Sequence, residues 1–123
     1  MPGGDRAPSV LVVDDHAGFR RSARALLELA GLHVVGEAAD GTAALEATAF
    51  LRPDVVLLDV ALPDIDGLEV CARITSGGGP VPMVILTSSR DLAGHADLVA
   101  ASGARTFVRK DQLSVTKLAE VTA

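Results

Sequence analysis

Four consecutive large aliphatic residues, Val55-Val56-Leu57-Leu58, run straight into Asp59. A strand with large apolar side chains on both faces is comfortable only where both faces are covered. The chain therefore passes through the middle of a sheet here and delivers a carboxylate at the strand's C-terminal end, where open α/β sheets place their ligands. Beyond it, Pro63 and the Asp66-Gly67 pair predict a rigid loop and then a helix start, with backbone carbonyls held near the acid. An Asp at a strand end also serves as a helix cap, so this carboxylate alone assigns no chemistry.

The same pattern recurs along the chain. Val10-Leu11-Val12-Val13 is a second wholly apolar strand, ending in Asp14-Asp15, and Met83-Val84-Ile85-Leu86 is a third, ending in Thr87-Ser88-Ser89. His33 to Ala38 carries Gly36 and Glu37, and Ala104 to Val108 is less apolar and leads into Arg109-Lys110-Asp111. These two weaker strands suit sheet edges. Between the strands, apolar residues at helical spacing predict helices over Ala17 to Ala30 (Phe19, Ala23, Leu26, Leu27), about Thr42 to Leu51, about Gly67 to Thr75, and about Asp91 to Ser102. A short last helix is capped by Ser114. Gly31 and Gly103 close helices, and Pro53 stops one. Gly77-Gly78-Gly79-Pro80 is a plain connector, since it follows a helix and lacks the Lys and Ser/Thr of a phosphate loop.

Five strand–helix alternations call for a doubly wound, five-stranded parallel α/β sheet with helices on both faces. Apolar strands at the centre, polar ones at the edges and right-handed crossovers give the order 2-1-3-4-5, the flavodoxin-like arrangement. The first and third strands are then neighbours at the switch point, which brings Asp14-Asp15 beside Asp59. With 123 residues the chain suits one domain, over residues 9–122, preceded by a flexible tail over residues 1–8 rich in Gly and Pro.

Composition narrows the function. A net charge of -5 with no Trp, no Tyr and three Phe argues against direct nucleic-acid binding, which needs basic groups and stacking surfaces. The single Cys71 excludes an internal disulfide and suits a reducing compartment. No apolar run reaches the ~20 residues of a membrane span. The expectation is a soluble, cytoplasmic protein without membrane contact.

Three carboxylates at one sheet end repel each other by about 4 kcal/mol per pair at 4 Å and an effective dielectric of 20. Such a cluster calls for a cation or a proton. Oxygen-only ligands with room for water suit Mg²⁺. Lys110 brings a point charge able to meet a phosphate, Thr87 brings a hydroxyl, and Asp is itself a nucleophile able to accept a phosphoryl group.

The motifs Val12-Val13-Asp14-Asp15-His16, Leu58-Asp59-Val60-Ala61-Leu62-Pro63-Asp64-Ile65-Asp66-Gly67, Leu86-Thr87-Ser88 and Gly103 to Asp111 stand in this order. In that combination the chain resembles a receiver domain of the two-component response regulators, across essentially all of residues 9 to 122. The resemblance implies a phosphorylation-controlled signalling switch. Asp59 would be the phosphoacceptor, fed by a sensor histidine kinase or a phosphotransfer protein. Asp15, Asp59 and the carbonyl of Ala61 would bind Mg²⁺ directly, with Asp14 helping through water. Thr87 would be the switch hydroxyl, Lys110 the phosphate-binding amine and Phe107 the switch aromatic, with the signal leaving through the fourth helix, fifth strand and fifth helix. A domain of this kind is not an enzyme in the usual sense, since it catalyses only its own phosphorylation and dephosphorylation. It would act on a downstream partner or an output domain, as a stand-alone receiver or part of a longer regulator, and phosphorylation-dependent dimers are a further expectation.

Asp111 stands where many receivers have Pro, so a cis bond after Lys110 is not expected, at a cost of roughly 3 kcal/mol without Pro. His16 and His95 read as surface or helix-start residues. A haloacid-dehalogenase-like Mg²⁺-dependent phosphatase is the alternative, but it needs a second Asp two residues after the nucleophile, where this chain has Ala61. A flavin module of the same strand order would find Asp14 and Asp15 repelling its phosphate.

Overall fold

The computed structural model describes residues 7–123. Apart from Ala7 and Pro8, the tail expected over residues 1–8 lies outside the described residues, and the Pro8 carbonyl already accepts a hydrogen bond from the His33 amide at 2.8 Å. Five strands, β1 (Ser9–Val13), β2 (His33–Ala38), β3 (Val55–Asp59), β4 (Met83–Ser88) and β5 (Thr106–Arg109), form one parallel sheet in the order β2-β1-β3-β4-β5. The helices are α1 (Ala17–Leu29), α2 (Gly41–Leu51), α3 (Gly67–Thr75), α4 (Ala96–Ala101) and α5 (Val115–Val121). Both the fold class and the strand order agree with the pattern of apolar runs, because every central strand is buried on both faces. All five residues of β3 are buried.

Strand alternation divides the interior into two layers. On one side Val10, Val12, Val55, Leu57, Ile85 and Val108 pack against Ala23 and Leu27 of α1 and Leu118 of α5. On the other, Leu11, Val13, Val56, Leu58, Val84 and Leu86 pack against Ala44 of α2 and Val70, Cys71 and Ile74 of α3. Burial of this many aliphatic side chains, each worth about 1.5–3 kcal/mol on transfer from water, is what holds the strand ends in fixed register.

Side chains set the helix starts. Asp40 accepts from the Ala43 amide at 2.7 Å, Asp66 from the Leu68 amide at 2.7 Å, and Ser114 from the Lys117 amide at 3.0 Å. Gly31 and Gly103 take positive φ (93° and 85°) after α1 and α4. Arg52 follows α2 in the left-handed region at φ 47°, directly before Pro53.

Two boundaries differ from expectation. The fourth helix was expected from about Asp91, but α4 begins at Ala96, and Ala93–His95 form a tighter 3₁₀ turn. No side chain caps α4, Gly94 interrupts the approach to it, and none of its residues is buried. Without a cap or an anchoring apolar residue the first turn does not settle as α-helix. The strand expected from Ala104 begins at Thr106, although pairing with β4 is opened by the Arg105 amide donating to the Val84 carbonyl at 2.9 Å. No peptide bond among the described residues is cis, including Lys110–Asp111. Instead, Lys110–Gln112 form a short 3₁₀ turn. No helix among the described residues is long and apolar enough to cross a membrane.

Candidate functional site

Asp14, Asp59, Thr87 and Lys110 continue the row of residues that lines the α1–α5 layer. Val10 and Val12 lead to Asp14, Val55 and Leu57 to Asp59, Ile85 to Thr87, and Val108 to Lys110. The period-2 alternation that buries Val, Ile and Leu along each strand thus delivers a polar group on the same side at each C-terminal end. Register aligns them further: Asp59 pairs with Thr87, and Thr87 with Val108.

Asp14 and Asp59 are almost wholly buried, at 0% and 2% exposure. Lys110 Nζ lies 2.5 Å from Asp14 Oδ2 and 3.3 Å from Asp59 Oδ2, so one ammonium bridges both acids. Asp59 Oδ1 accepts from the Ala61 amide at 3.2 Å. Asp15 is exposed at the rim. Together with His16, these acids place ligand atoms within 4.8 Å of one another.

Burial raises the Asp59 carboxyl above its ordinary value; the neighbouring charge of Asp14 adds to this, and the Ala61 amide and Lys110 offset it in part. Burial also pushes Asp14 upward, but its hydrogen bonds from Lys110 and from the His16 amide outweigh that and leave it below the ordinary value. Burial lowers the Lys110 ammonium, and the pairing with Asp14 and Asp59 more than reverses this, so its pKa is raised and it stays charged at neutral pH.

Thr87 is fully buried, and its hydroxyl makes no hydrogen bond within the protein. Since buried hydroxyls are nearly always satisfied, this orphan marks a position built to meet a group that arrives from outside. Thr87→Val keeps the shape and removes the unmet hydroxyl. It should stabilise the domain by about 1 kcal/mol, read as a higher midpoint in chemical denaturation. A lower midpoint would show that the hydroxyl has a partner in the resting protein.

Phe107 pairs with Leu86, one step from the Thr87–Val108 pair, and packs in the α2–α3–α4 layer. Alternation thus sets its ring on the face opposite to Lys110. It lines a cavity of about 430 Å³ between α4 and β5, together with Leu92, Val99 and Ala100. Ala61 is exposed in the loop after β3.

Supporting residues not singled out from the sequence complete the site. The Lys110 ammonium sits 4.3 Å from the centroid of the Phe19 ring on α1. Arg20 donates to the Asp14 carbonyl at 2.6 Å and pairs with Glu37 on β2. Asp64 accepts from the Gly41 amide at 2.7 Å and from the Thr42 amide and hydroxyl at 2.9 Å each, clamping the loop after β3 onto the start of α2. These amides hold the Asp64 carboxyl well below the usual carboxylate range. The helical spacing of Phe19 and the turn composition around Asp64 were visible in the sequence, but neither reveals a partner on another element.

Parallel order, switch point and buried carboxylates define a doubly wound, flavodoxin-like α/β domain with a charged site at its sheet end. The chain belongs to the response regulator receiver domain family of two-component systems, whose pattern matches residues 10–122. The signal receiver domain of NarL from Mycobacterium tuberculosis superposes with a TM-score of 0.85 at 36% identity, covering 95% of this chain and 94% of that one. Protein-glutamate methylesterase/protein-glutamine glutaminase 3 of Hahella chejuensis is 41% identical over 105 residues, covering 84% of this chain and 30% of that protein. BvgA of Bordetella pertussis, described as a positive transcription regulator of virulence factors, is 38% identical over 103 residues, covering 84% of this chain and 49% of that protein. The chain spans at most about half the length of these two relatives.

Proposed function

We propose that this domain is a phosphorylation-controlled switch in which Asp59 accepts a phosphoryl group from a sensor histidine kinase or a phosphotransfer protein. The observation that carries this reading is the buried, unpartnered Thr87 hydroxyl beside a buried carboxylate already held by an ammonium. A nucleophilic oxygen, a fixed cation and an idle donor on one side of a sheet end match what in-line phosphoryl transfer requires.

An Asp59 carboxylate oxygen attacks phosphorus, the donor's P–N bond breaks as the new P–O bond forms, and an acyl phosphate results. Lys110 meets the charge spread over the phosphoryl oxygens, and Thr87 donates its hydroxyl to one of them. The donor set fits a hard divalent cation, because Asp14, Asp15 and Asp59 gather carboxylate oxygens, and the backbone carbonyl of Ala61 would complete it. Mg²⁺, when bound there, neutralises charge on the acids and on the incoming group. The only chemistry of the domain is this self-phosphorylation and its reversal by water. Ala61 in place of a second Asp argues against the phosphatase alternative, which has no general acid here.

The phosphoryl group adds charge and acceptor oxygens that draw Thr87 and Lys110 inward. Because Phe107 lies in the opposite layer, the signal reaches it through the β4 and β5 backbones and the segment leading to α4. That helix, short and without a buried residue, is suited to two arrangements of similar energy. A kinase or phosphotransfer protein upstream, and an output segment or separate protein downstream, are the partners of such a switch. Phosphorylation-dependent pairing of two copies through the α4–β5–α5 surface, and a cytoplasmic location beside the kinase, belong to the same reading.

Amide exchange with and without beryllofluoride plus Mg²⁺ tests this route. Altered protection is expected both in the loop after Asp59 and across residues 88–108. Changes confined to the loop would overturn the output path through α4 and β5, and no change anywhere would overturn the switch.

A further inference from the structure

His16 lies against the acid cluster in a way that the oxygen-only reading leaves unused. Its Nδ1 is 3.0 Å from Asp15 Oδ1 and 3.2 Å from Asp14 Oδ1. Around a six-coordinate cation with bonds of about 2.1 Å, adjacent ligands stand about 3.0 Å apart and opposite ones about 4.2 Å. The two short separations are hydrogen-bonding contacts between the ring nitrogen and the carboxylates, and their lengths also match the edge of a coordination shell, so a cation can take the place of the shared proton without moving the ring. All the ligand atoms lie within 4.8 Å of one another, at most about 0.6 Å beyond the opposite pair, a closure that the exposed side chains of Asp15 and His16 can supply while Asp14 and Asp59 stay fixed.

The two buried acids divide their oxygens accordingly. Asp14 and Asp59 both turn Oδ2 to Lys110. Asp14 Oδ1 faces His16, accepting its backbone amide at 2.8 Å. The side of Asp14 away from the ammonium is therefore the side that Asp15 and His16 border. The His16 backbone is fixed as well, because its carbonyl accepts the Arg20 amide at 3.1 Å in the first turn of α1. The ring itself is 72% exposed, so it approaches from the open face of the site. The Thr87 hydroxyl, buried and unpartnered in register beside Asp59, independently marks this sheet end as built for a ligand.

We infer that His16 is a nitrogen ligand of this cation site, and that the site consequently favours imidazole-accepting divalent ions such as Co²⁺ and Ni²⁺ over Mg²⁺. The inference rests on the cation-assisted reading above and adds the identity of one ligand. Mg²⁺ takes oxygen ligands and keeps its waters, so a nearby imidazole gives it little, whereas later first-row ions gain affinity from nitrogen. His16 thereby sets which cation the domain carries when several compete.

The test uses the cations alone. Pulsed electron paramagnetic resonance of Mn²⁺ added to the whole chain should show nitrogen modulation from a directly bound imidazole. The modulation should persist in His33→Ala and His95→Ala and vanish in His16→Ala. Calorimetric titration should show Co²⁺ affinity falling about tenfold in His16→Ala with Mg²⁺ affinity within about twofold of the wild-type value. Mn²⁺ bound without nitrogen modulation, or equal weakening of Co²⁺ and Mg²⁺ by His16→Ala, would overturn the inference while leaving the phosphoryl switch standing. A wild-type chain that binds none of the three ions would overturn the cation site of both readings.

Discussion

Asp59→Asn should abolish phosphoryl incorporation from acetyl phosphate and at the same time raise the unfolding midpoint at neutral pH. The first effect follows because the amide has no anionic oxygen to attack phosphorus, and Asp14, the other buried acid, has an oxygen engaged by Lys110. The second follows from burial. The Asp59 carboxyl is only 2% exposed, and its folded-state pKa lies above the ordinary value, through burial first and the charge of Asp14 as well. An acid whose pKa is raised by folding destabilises the fold while ionised, and that penalty is relieved as pH falls through the folded-state value. The Asn variant should therefore be more stable than wild type at neutral pH, with the difference narrowing as the pH is lowered. Asp14, depressed by Lys110 and His16, is present in both proteins. Intact-mass measurement after acetyl phosphate treatment reads the first effect, and urea denaturation between about pH 4 and 8 reads the second. Phosphate on the Asn variant at wild-type level would remove Asp59 from the mechanism. Identical midpoints at every pH would mean that Lys110 and the Ala61 amide fully offset the burial.

The sheet was legible because its central strands announce burial on both faces. Val10 to Val13, Val55 to Leu58 and Met83 to Leu86 can sit nowhere else, and once they are central, Asp14, Asp59 and Thr87 must emerge at one end. The edge strands were legible from what they lack, Gly36 and Glu37 being poor company for a sheet centre. What local pattern did not show arises from approach in three dimensions. The Phe19 spacing marks only a helix face turned inward, and nothing local tells that its ring ends beneath Lys110. Asp64 reads as a turn residue, yet its carboxylate serves the start of a helix 22 residues away in sequence. The late start of α4 escaped because apolar spacing persists through Leu92, while the decision falls to a missing cap and missing burial. The opposite facing of Phe107 and Lys110 was readable in principle from their odd separation, since residues three apart on a strand point to opposite sides.

Gly67→Ala is the substitution expected to damage the fold and the site together. The Asp66-Gly67 pair reads from sequence as a turn or cap, and Asp66 does cap α3. The need for glycine is different, because Gly67 shows no positive φ. It is the point where the loop after β3 returns to the strand that holds Asp59, and its amide donates to the Val60 carbonyl at 2.8 Å. A Cβ there would stand 2.3 Å from the Asp59 carbonyl oxygen and 2.6 Å from the Val60 Cα. Both neighbours are backbone, so no side chain can swing aside. Either α3 retreats from the sheet and loses the hydrogen bond, or the end of β3 moves and takes Asp59 out of register with Thr87. Overpacking plus one lost hydrogen bond comes to about 3 kcal/mol or more, roughly a 10 °C fall in the thermal midpoint for a domain of this size. Gly18→Ala is the control, since it lies in α1 with nothing within 4 Å of its Cβ position and should leave the midpoint unchanged or slightly higher. Phosphoryl incorporation, followed at a temperature where both variants are folded, separates the two ways of yielding. A retreat of α3 alone lowers stability and spares the rate, whereas a displaced Asp59 slows the reaction as well. A Gly67→Ala protein with wild-type midpoint and rate would mean that the loop yields without strain and that Gly67 does not pin β3.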